Sequence, residues 1–325
     1  MYNNFTNEEL RIFKSFMEKA QSLNLNLNDV ISSIQPFQPQ FFFSINAYRL
    51  PSSTDKSSCV LLENQDIIIL SFSGSLYKIN IYTSELQTYS IQSRPCRWDY
   101  TWSKIPEKVI IYGGRDKQAG KIFSDLLIFD LIDHEWIDLE AQFVPEPRFN
   151  SSSCTFVDFF LIFGGVNQKG RLRDCHVLDL NSIIWTEVET QMYISKGQDT
   201  CKICSFGPNA VFFSAIADRQ GYVNDVFMAK FENFKAKMTN LNTLNKVYIE
   251  KVVGIEGFEN NMAILGKNQG NYCVCLFNVV TGNGEMLEYV ENFNFEYKEG
   301  RVIQIPFFKK GKAMLCSVFY KIRVI

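Results

Sequence analysis

Two stretches of this chain can be laid over each other at a nearly constant spacing. In "KVIIYGGRDKQAGKIFSDLLIFDLIDHEWIDLE" (108–140) and "FFLIFGGVNQKGRLRDCHVLDLNSIIWTEVE" (159–189), Gly113 and Gly114 fall on Gly164 and Gly165. Asp125 falls on Asp174, Asp130 on Asp179 and Trp136 on Trp185. The offsets are 51, 49, 49 and 49 residues. Four kinds of landmark at one spacing define a repeat, and a period near 50 points to propeller blades.

Fainter copies keep the spacing. Steps of 51 from Gly165 reach Ile216 in "NAVFFSAIADRQGYVNDVFMAKF", Lys267 beside Gly266 in "NMAILGKNQGNYCVCLFNV", and Val318 in "KAMLCSVFYKIRVI". Asp225 lies 51 beyond Asp174. Upstream, in "DIIILSFSGSLYKINIYTSELQTYSI" (66–91), Asn80 and Leu86 stand 50 before Asp130 and Trp136. Gly74 lies only 40 before Gly114, so this copy has a loop shorter by about ten residues between its middle strands.

Each unit reads as four short strands, β-branched and aromatic, broken by Gly, Asn and Asp. In the copy at 149–189 they are "SSSCTFV", "FFLIFGG", "DCHVLDL" and "IIWTEV". Four-stranded sheets repeated radially make a propeller. The expectation is an all-β, six-bladed β-propeller over 38–325. Its blades fall near 57–91, 96–140, 147–190, 200–241, 248–289 and 299–325. The last unit has room for three strands. The segment "QPQFFFSINAYRL" (38–50) is expected to supply the missing outer strand, closing the ring and removing a free edge.

The glycine pair ending strand two, the Asp opening strand three and the Trp in strand four resemble the kelch repeat. The match is good at 96–140 and 147–190, partial around 57–91, 200–241 and 248–289, and faint in the last unit. Glycine at a strand end permits positive φ and leaves room for a large neighbour, expected to be the Trp at its fixed offset. Asp130 and Asp179 are placed to accept backbone N–H groups in the turn to strand four. Gly113, Gly114, Gly164, Gly165, Asp125, Asp174, Asp225, Trp136 and Trp185 therefore read as scaffold.

Before the ring, 1–37 reads as an amphipathic helix and a linker. Thr6 and Glu9 have capping-box spacing, Phe5 and Leu10 staple spacing, and Leu10, Phe13 and Met17 share one face. The helix either packs on the ring or docks a partner; the sequence leaves both open.

Composition narrows the class. With 325 residues, 46% hydrophobic, the chain can bury a large core. A net charge of −2 gives no basic field for nucleic acid. No apolar run approaches the ~20 residues of a membrane span. The start, "MYNNFTNEELRIF", has neither a secretory nor a transit pattern. Nine cysteines spread over the chain suit reduced thiols. A cytoplasmic protein without a cofactor is expected.

Signs of catalysis are sparse. There are two histidines, His134 and His176, at unlike places in their blades, and no HExxH, GxSxG or Walker motif. Asp116 and Asp218 lie near loops that could meet, with nothing to mark them as acid and base. "CKIC" (Cys201, Cys204) and "CVC" (Cys273, Cys275) lie in strand patterns. Alternation there sends Cys201 and Cys204 to opposite faces, against a metal site.

What remains is binding. Loops between strands two and three emerge on one face of a propeller together with the blade-linking segments. They would present Arg115, Lys117, Lys169, Arg171, Arg173, Arg219, Tyr222, Lys267 and Tyr272, with Arg94, Arg97, Trp98, Arg148 and Phe149 from the links. Arginine with aromatics is the composition of protein hot spots, and the excess of basic residues suits an acidic peptide. Solvated loops without a partner remain the alternative. The kelch resemblance implies a non-catalytic protein-interaction module, either a scaffold subunit of a larger cytoskeletal or ciliary assembly or a ubiquitin-ligase substrate adaptor. About 40 residues precede the ring, too few for a BTB domain and without an F-box pattern, which favours the scaffold. A propeller enzyme with its site at the central channel is the further alternative. It would need titratable groups converging there.

Overall fold

The computed structural model describes residues 40–49, 59–63, 66–190, 201–218, 221–232, 235–241, 249–258, 260–289, 301–309 and 312–321. The expected N-terminal helix lies outside them. The chain divides into two units, Met1–Gln40 with Tyr320–Ile325, and Phe41–Phe319. Nearly all of the described residues belong to the second. Every regular element among them is a β-strand.

Strand β1 (Gln40–Arg49) belongs to the last blade. Blade I is β2 (Cys59–Glu63), β3 (Asp66–Ser71), β4 (Ser75–Asn80) and β5 (Leu86–Ser90). Blade II is β6 (Thr101–Ile105), β7 (Lys108–Tyr112), β8 (Leu126–Asp130) and β9 (Trp136–Leu139). Blade III is β10 (Ser152–Phe156), β11 (Phe159–Asn167), β12 (Gly170–Asp179) and β13 (Ile184–Thr190). Blade IV is β14 (Lys202–Phe206), β15 (Asn209–Asp218), β16 (Gly221–Glu232) and β17 (Lys235–Asn240). Blade V is β18 (Lys251–Phe258), β19 (Asn261–Asn268), β20 (Asn271–Asn278) and β21 (Gly284–Met286). Within each of these blades, consecutive strands pair antiparallel. The outer strands β13 and β17 also meet in parallel, Glu189 opposite Lys235, fusing blades III and IV into one eight-stranded sheet.

The apolar runs seen in the sequence are the second strands, buried on both faces. Side chains alternate across a strand. So Ile68 and Leu70 of β3 pack against Val109 and Ile111 of blade II, while Ile67 and Ile69 pack with Tyr48 and Leu315 on the other side. In β7, Ile110 and Tyr112 join Phe160 and Ile162 of blade III. In β11, Leu161 and Phe163 join Ala210 and Phe212 of blade IV. Val211 and Phe213 then meet Met262 and Ile264 of blade V. Ala263 and Leu265 meet Cys316 and Val318 of the last blade. Each interface is sealed by apolar side chains that contribute about 1.5–3 kcal/mol apiece when fully buried. Six blades share six such clusters. A stack with two open ends would have five, so the ring is closed.

Closure differs in detail from the expectation. Blade VI has two strands from the C-terminal part, β23 (Arg301–Lys309) innermost and β24 (Lys312–Lys321) next. Strand β1 lies third, beside β24, not outermost. The outer position is taken by β22 (Glu288–Tyr289), which follows blade V and pairs in parallel with Phe42 and Phe43. The C-terminal unit has room for three strands, but each of the two it forms is long, which uses up the residues of a third. Strand β23 touches the inner strands of both neighbours, β18 and β2.

Repeat residues build the turns. Asp130 Oδ1 accepts the N–H groups of Ile132 (2.9 Å) and Asp133 (3.1 Å), and Asp179 Oδ1 those of Asn181 (2.8 Å) and Ser182 (3.3 Å). Asn80 and Asn278 do the same in blades I and V. The glycines hold positive φ, but the expected occupant of their free space is wrong. A methyl on Gly113 would strike the carbonyl of Arg148, and one on Gly165 would lie 2.8 Å from the carbonyl of Phe149. The linking backbone fills that space. The tryptophans pack between blades instead: Trp136 stacks on Phe72 at 5.2 Å, and Trp185 tilts against Tyr112 at 5.2 Å. They are drawn there because apolar rings gain most where neighbouring sheets leave a gap.

Candidate functional site

The loops between second and third strands emerge beside the blade-linking segments, and short bridges tie them together. Arg115 pairs with Trp98 and with Ile122, and Phe149 with Val166. The links before blades II and III are thus laid down as extra ribbons over the glycine turns.

Two of the expected docking residues are not on the surface. Arg97 is 2% exposed and Arg148 0%. Arg97 Nη1 and Nη2 donate to the two carboxylate oxygens of Asp125, both at 2.8 Å, and Nη1 to the carbonyl of Gly113 at 3.2 Å. Arg148 does the same with Asp174 (2.7 and 2.8 Å) and the carbonyl of Gly164 (3.1 Å). The glycine turn leaves a strand-end carbonyl facing inward, and a planar guanidinium can satisfy it and a carboxylate at once. These arginines are scaffold. A signal was available: Arg97 and Arg148 are 51 residues apart, the glycine spacing. His176 Nε2 lies 2.7 Å from the same Asp174. Burial would raise the Asp174 pKa, but the hydrogen bonds from His176 and Arg148 outweigh it and hold the carboxyl well below the usual range.

The other candidates sit nearer solvent, several already engaged. Arg94, largely covered, reaches Asp138 on the outer strand of blade II at 2.9 Å. Arg115 binds Asp99 through Nε (2.8 Å) and Nη2 (2.7 Å), with its guanidinium 4.1 Å from the centre of the Phe149 ring. Lys117 lies 3.6 Å from Asp99 and over Trp98. Lys169 is 80% exposed and pairs with Glu146 at 2.7 Å. Lys267 stands over Tyr272 at 4.9 Å. Arg171 and Arg173 are exposed on the projecting start of β12, on alternate positions of one sheet face. Tyr222 lies in β16 opposite Ala217, and Arg219 is outside the described residues. Arg115, Asp116, Lys117, Gly120, Ile122 and Phe149 line a cleft of about 260 Å³. The face therefore holds a small aromatic-walled recess lined by Arg115, Lys117 and Asp116, and Asp99 pairs with both of its cations.

The other candidate chemistries fare differently. Cys201 faces the blade III–IV core and Cys204 the blade IV–V core, on opposite sides of one strand. Burial pushes the Cys201 thiol up to about 12, and Cys275 likewise. Among the described residues no group of three His, Cys, Asp or Glu side chains is placed to hold a metal ion. His134 lies against Tyr89 in blade I contact and His176 on blade III. On inner strand β18, Glu256 touches solvent, yet the protein packed around it desolvates its carboxyl and pushes it up to about 7, with Lys104 pulling the other way. One shifted carboxyl is not an acid–base pair. No described helix is long and apolar enough to cross a membrane.

With ring and face in place, residues 51–247 match the model of the KLHDC2/KLHL20/DRC7 Kelch-repeats domain. The chain belongs to this kelch-repeat family. Several proteins of other organisms are similar to parts of it. Acyl-CoA-binding domain-containing protein 4 of Arabidopsis thaliana is 31% identical over 110 residues, 33% of this chain and 16% of the relative. The dynein alpha chain of the flagellar outer arm of Chlamydomonas reinhardtii is 24% identical over 144 residues, 42% of this chain and 3% of the relative. Dynein regulatory complex subunit 7 of the same alga is 27% identical over 99 residues, 29% of this chain and 8% of the relative. The chain spans less than a fifth of each relative's own length.

Proposed function

We propose that this kelch chain is a non-catalytic protein-interaction subunit that docks partner proteins through its loop face, within a cytoskeletal or ciliary assembly in the cytoplasm. One observation carries the location: one similar protein is named as a dynein chain of the flagellar outer arm and another as a subunit of a dynein regulatory complex. The loop face supports the mode of action. Arg171, Arg173 and Lys117 stand outward on rigid hairpins, next to the aromatic-walled recess at Phe149. Rigid arginines beside aromatic rings are what hot spots are made of. The cations suit an acidic segment of a partner, and the net charge of −2 offers nucleic acid little.

The test is purification of the tagged full chain from its native cells, with mass spectrometry and localisation. The triple variant Lys117→Glu, Arg171→Glu, Arg173→Glu runs in parallel. A stoichiometric set of axonemal or microtubule-associated proteins, lost from the variant, is the expected result. Partners that the variant retains would move the interface elsewhere, and a soluble, partnerless protein would end the reading.

A further inference from the structure

The link into blade III departs from the link into blade II at one residue. Gln92 stands five places before the buried Arg97, and Phe143 five places before the buried Arg148. The carbonyl of Gln92 accepts the indole N–H of Trp136 at 3.0 Å. The matching indole N–H, that of Trp185, is buried and has no hydrogen-bond partner among the described residues. Phe143 stands where blade II finds its acceptor, but its backbone is turned: φ is +54°, while Gln92 keeps a negative φ. The Phe143 side chain is 79% exposed.

The repeat does not require this turn. Other non-glycine residues at positive φ recur from blade to blade: Ser84, His134 and Ile183 in the outer turns, Asp99 and Asn150 in the links, Glu107 and Val157 in the inner hairpins. Phe143 has no such counterpart at Gln92. A bulky residue in the left-handed region is strained, and a buried donor without an acceptor costs free energy.

The two costs share one remedy, because the link is pinned on either side of Phe143. The N–H of Gln142 donates to the carbonyl of Ile183 at 3.1 Å, and its carbonyl accepts the N–H of Trp185 at 3.0 Å. The Pro145 carbonyl accepts the Tyr112 hydroxyl at 2.7 Å. Between these anchors the backbone groups of Phe143 and Val144 bond to no other described residue. A crankshaft rotation of this free span takes Phe143 out of the left-handed region and turns its carbonyl inward.

We propose that Phe143 and Val144 form a two-state strap. In the outward state, seen in this structure, the Phe143 ring stands in solvent and the Trp185 N–H is unpaired. In the inward state the Phe143 carbonyl accepts that N–H, as Gln92 does for Trp136. Trp185 packs between blades II and III, against Tyr112 and Phe160. The strap therefore ties the surface of the link to a blade junction. Contact that covers the Phe143 ring favours the outward state, and with it an unpaired indole at that junction. This device does not depend on docking at the loop face.

The test is NMR of the full chain, labelled at the indole nitrogens of its four tryptophans. A hydrogen-bonded indole proton resonates downfield of a free one. Trp185→Phe identifies the signal. Phe143→Pro fixes φ at about −65° and removes an N–H that bonds to no described residue, so it admits only the inward state. Phe143→Gly relieves the left-handed backbone and favours the outward state. The Trp185 signal is expected downfield in Phe143→Pro and upfield in Phe143→Gly. In the wild type it should lie between them, with exchange broadening that the Trp136 signal lacks. Its exchange with solvent should be about fivefold slower in Phe143→Pro than in Phe143→Gly, the worth of one hydrogen bond. Phe143→Pro should melt no lower than the wild type. A Trp185 signal at one position in all three proteins overturns the proposal. So does a Phe143→Pro variant that melts well below the wild type, since the inward state is then not one the link can form.

Discussion

Arg148 grips Asp174 of blade III with both arms of its guanidinium, at 2.7 and 2.8 Å, while its own backbone is held by blade II. Its N–H donates to the carbonyl of Phe123, and its carbonyl accepts from Gly114. One residue thus bolts two blades together. Removing one partner of a buried pair strands the other charge. Asp174→Ala is expected to lower stability by about 3 kcal/mol in urea denaturation, and Arg148→Met with Asp174→Leu to recover most of it. A neutral Asp174→Ala would show that the pair is incidental.

Stability should fall on acidification. The carboxyl of Asp174 is held low against burial by His176 and Arg148, that of Asp130 first by the N–H of Asp133, and that of Asp179 first by the N–H of Asn181. In each case the unfolded chain takes up protons at a higher pH than the folded one. Their contribution is therefore complete above the ordinary carboxylate pKa of about 4 and lost as pH drops below it. Asp179→Asn should keep the turn, since Asn80 and Asn278 already serve in it, and give a shallower loss of Tm between pH 5 and 3. An unchanged slope would remove Asp179 from this account.

Gly165 sits at φ +97° with the carbonyl of Phe149 and the Ser151 side chain against the place of a methyl. Gly165→Ala combines backbone strain with a clash against backbone that cannot swing away. We expect a loss of about 2 kcal/mol or more. Gly170→Ala, with open space around it, should lose only the strain. Equal losses in the two variants would mean that the close approach of the link is unimportant.

Deleting residues 312–325 removes β24, which separates β1 from β23. The whole propeller should then lose its cooperative transition, not one blade of it. A truncated chain that melts at the wild-type temperature would refute closure by the two ends.

The fold was legible because its signal is periodic. Second strands buried on both faces read as apolar runs, and the glycine, Asp and Trp landmarks repeat with them. Strand identity within the last blade was not, because β1 and β22 find their places by pairing across hundreds of residues, which composition does not record. Of the proposed docking residues, Arg115 and Lys117 stand on the loop between β7 and β8, whereas Arg97 and Arg148 are buried. A lone arginine in a linking segment looks the same whether it meets solvent or a buried carboxylate.

The six apolar clusters have one more consequence. Each belongs to two blades, so no blade owns a core, and the molecule behaves as a circle of couplings without a terminus. Damage at one junction leaves every blade with at least one intact neighbour, and the strain can be shared around the circumference. A cut that removes a blade leaves two faces bare and nothing to share. Such a protein should tolerate drift in many of its repeats, as the faint copies around 200–325 show, yet admit no shortened version of itself.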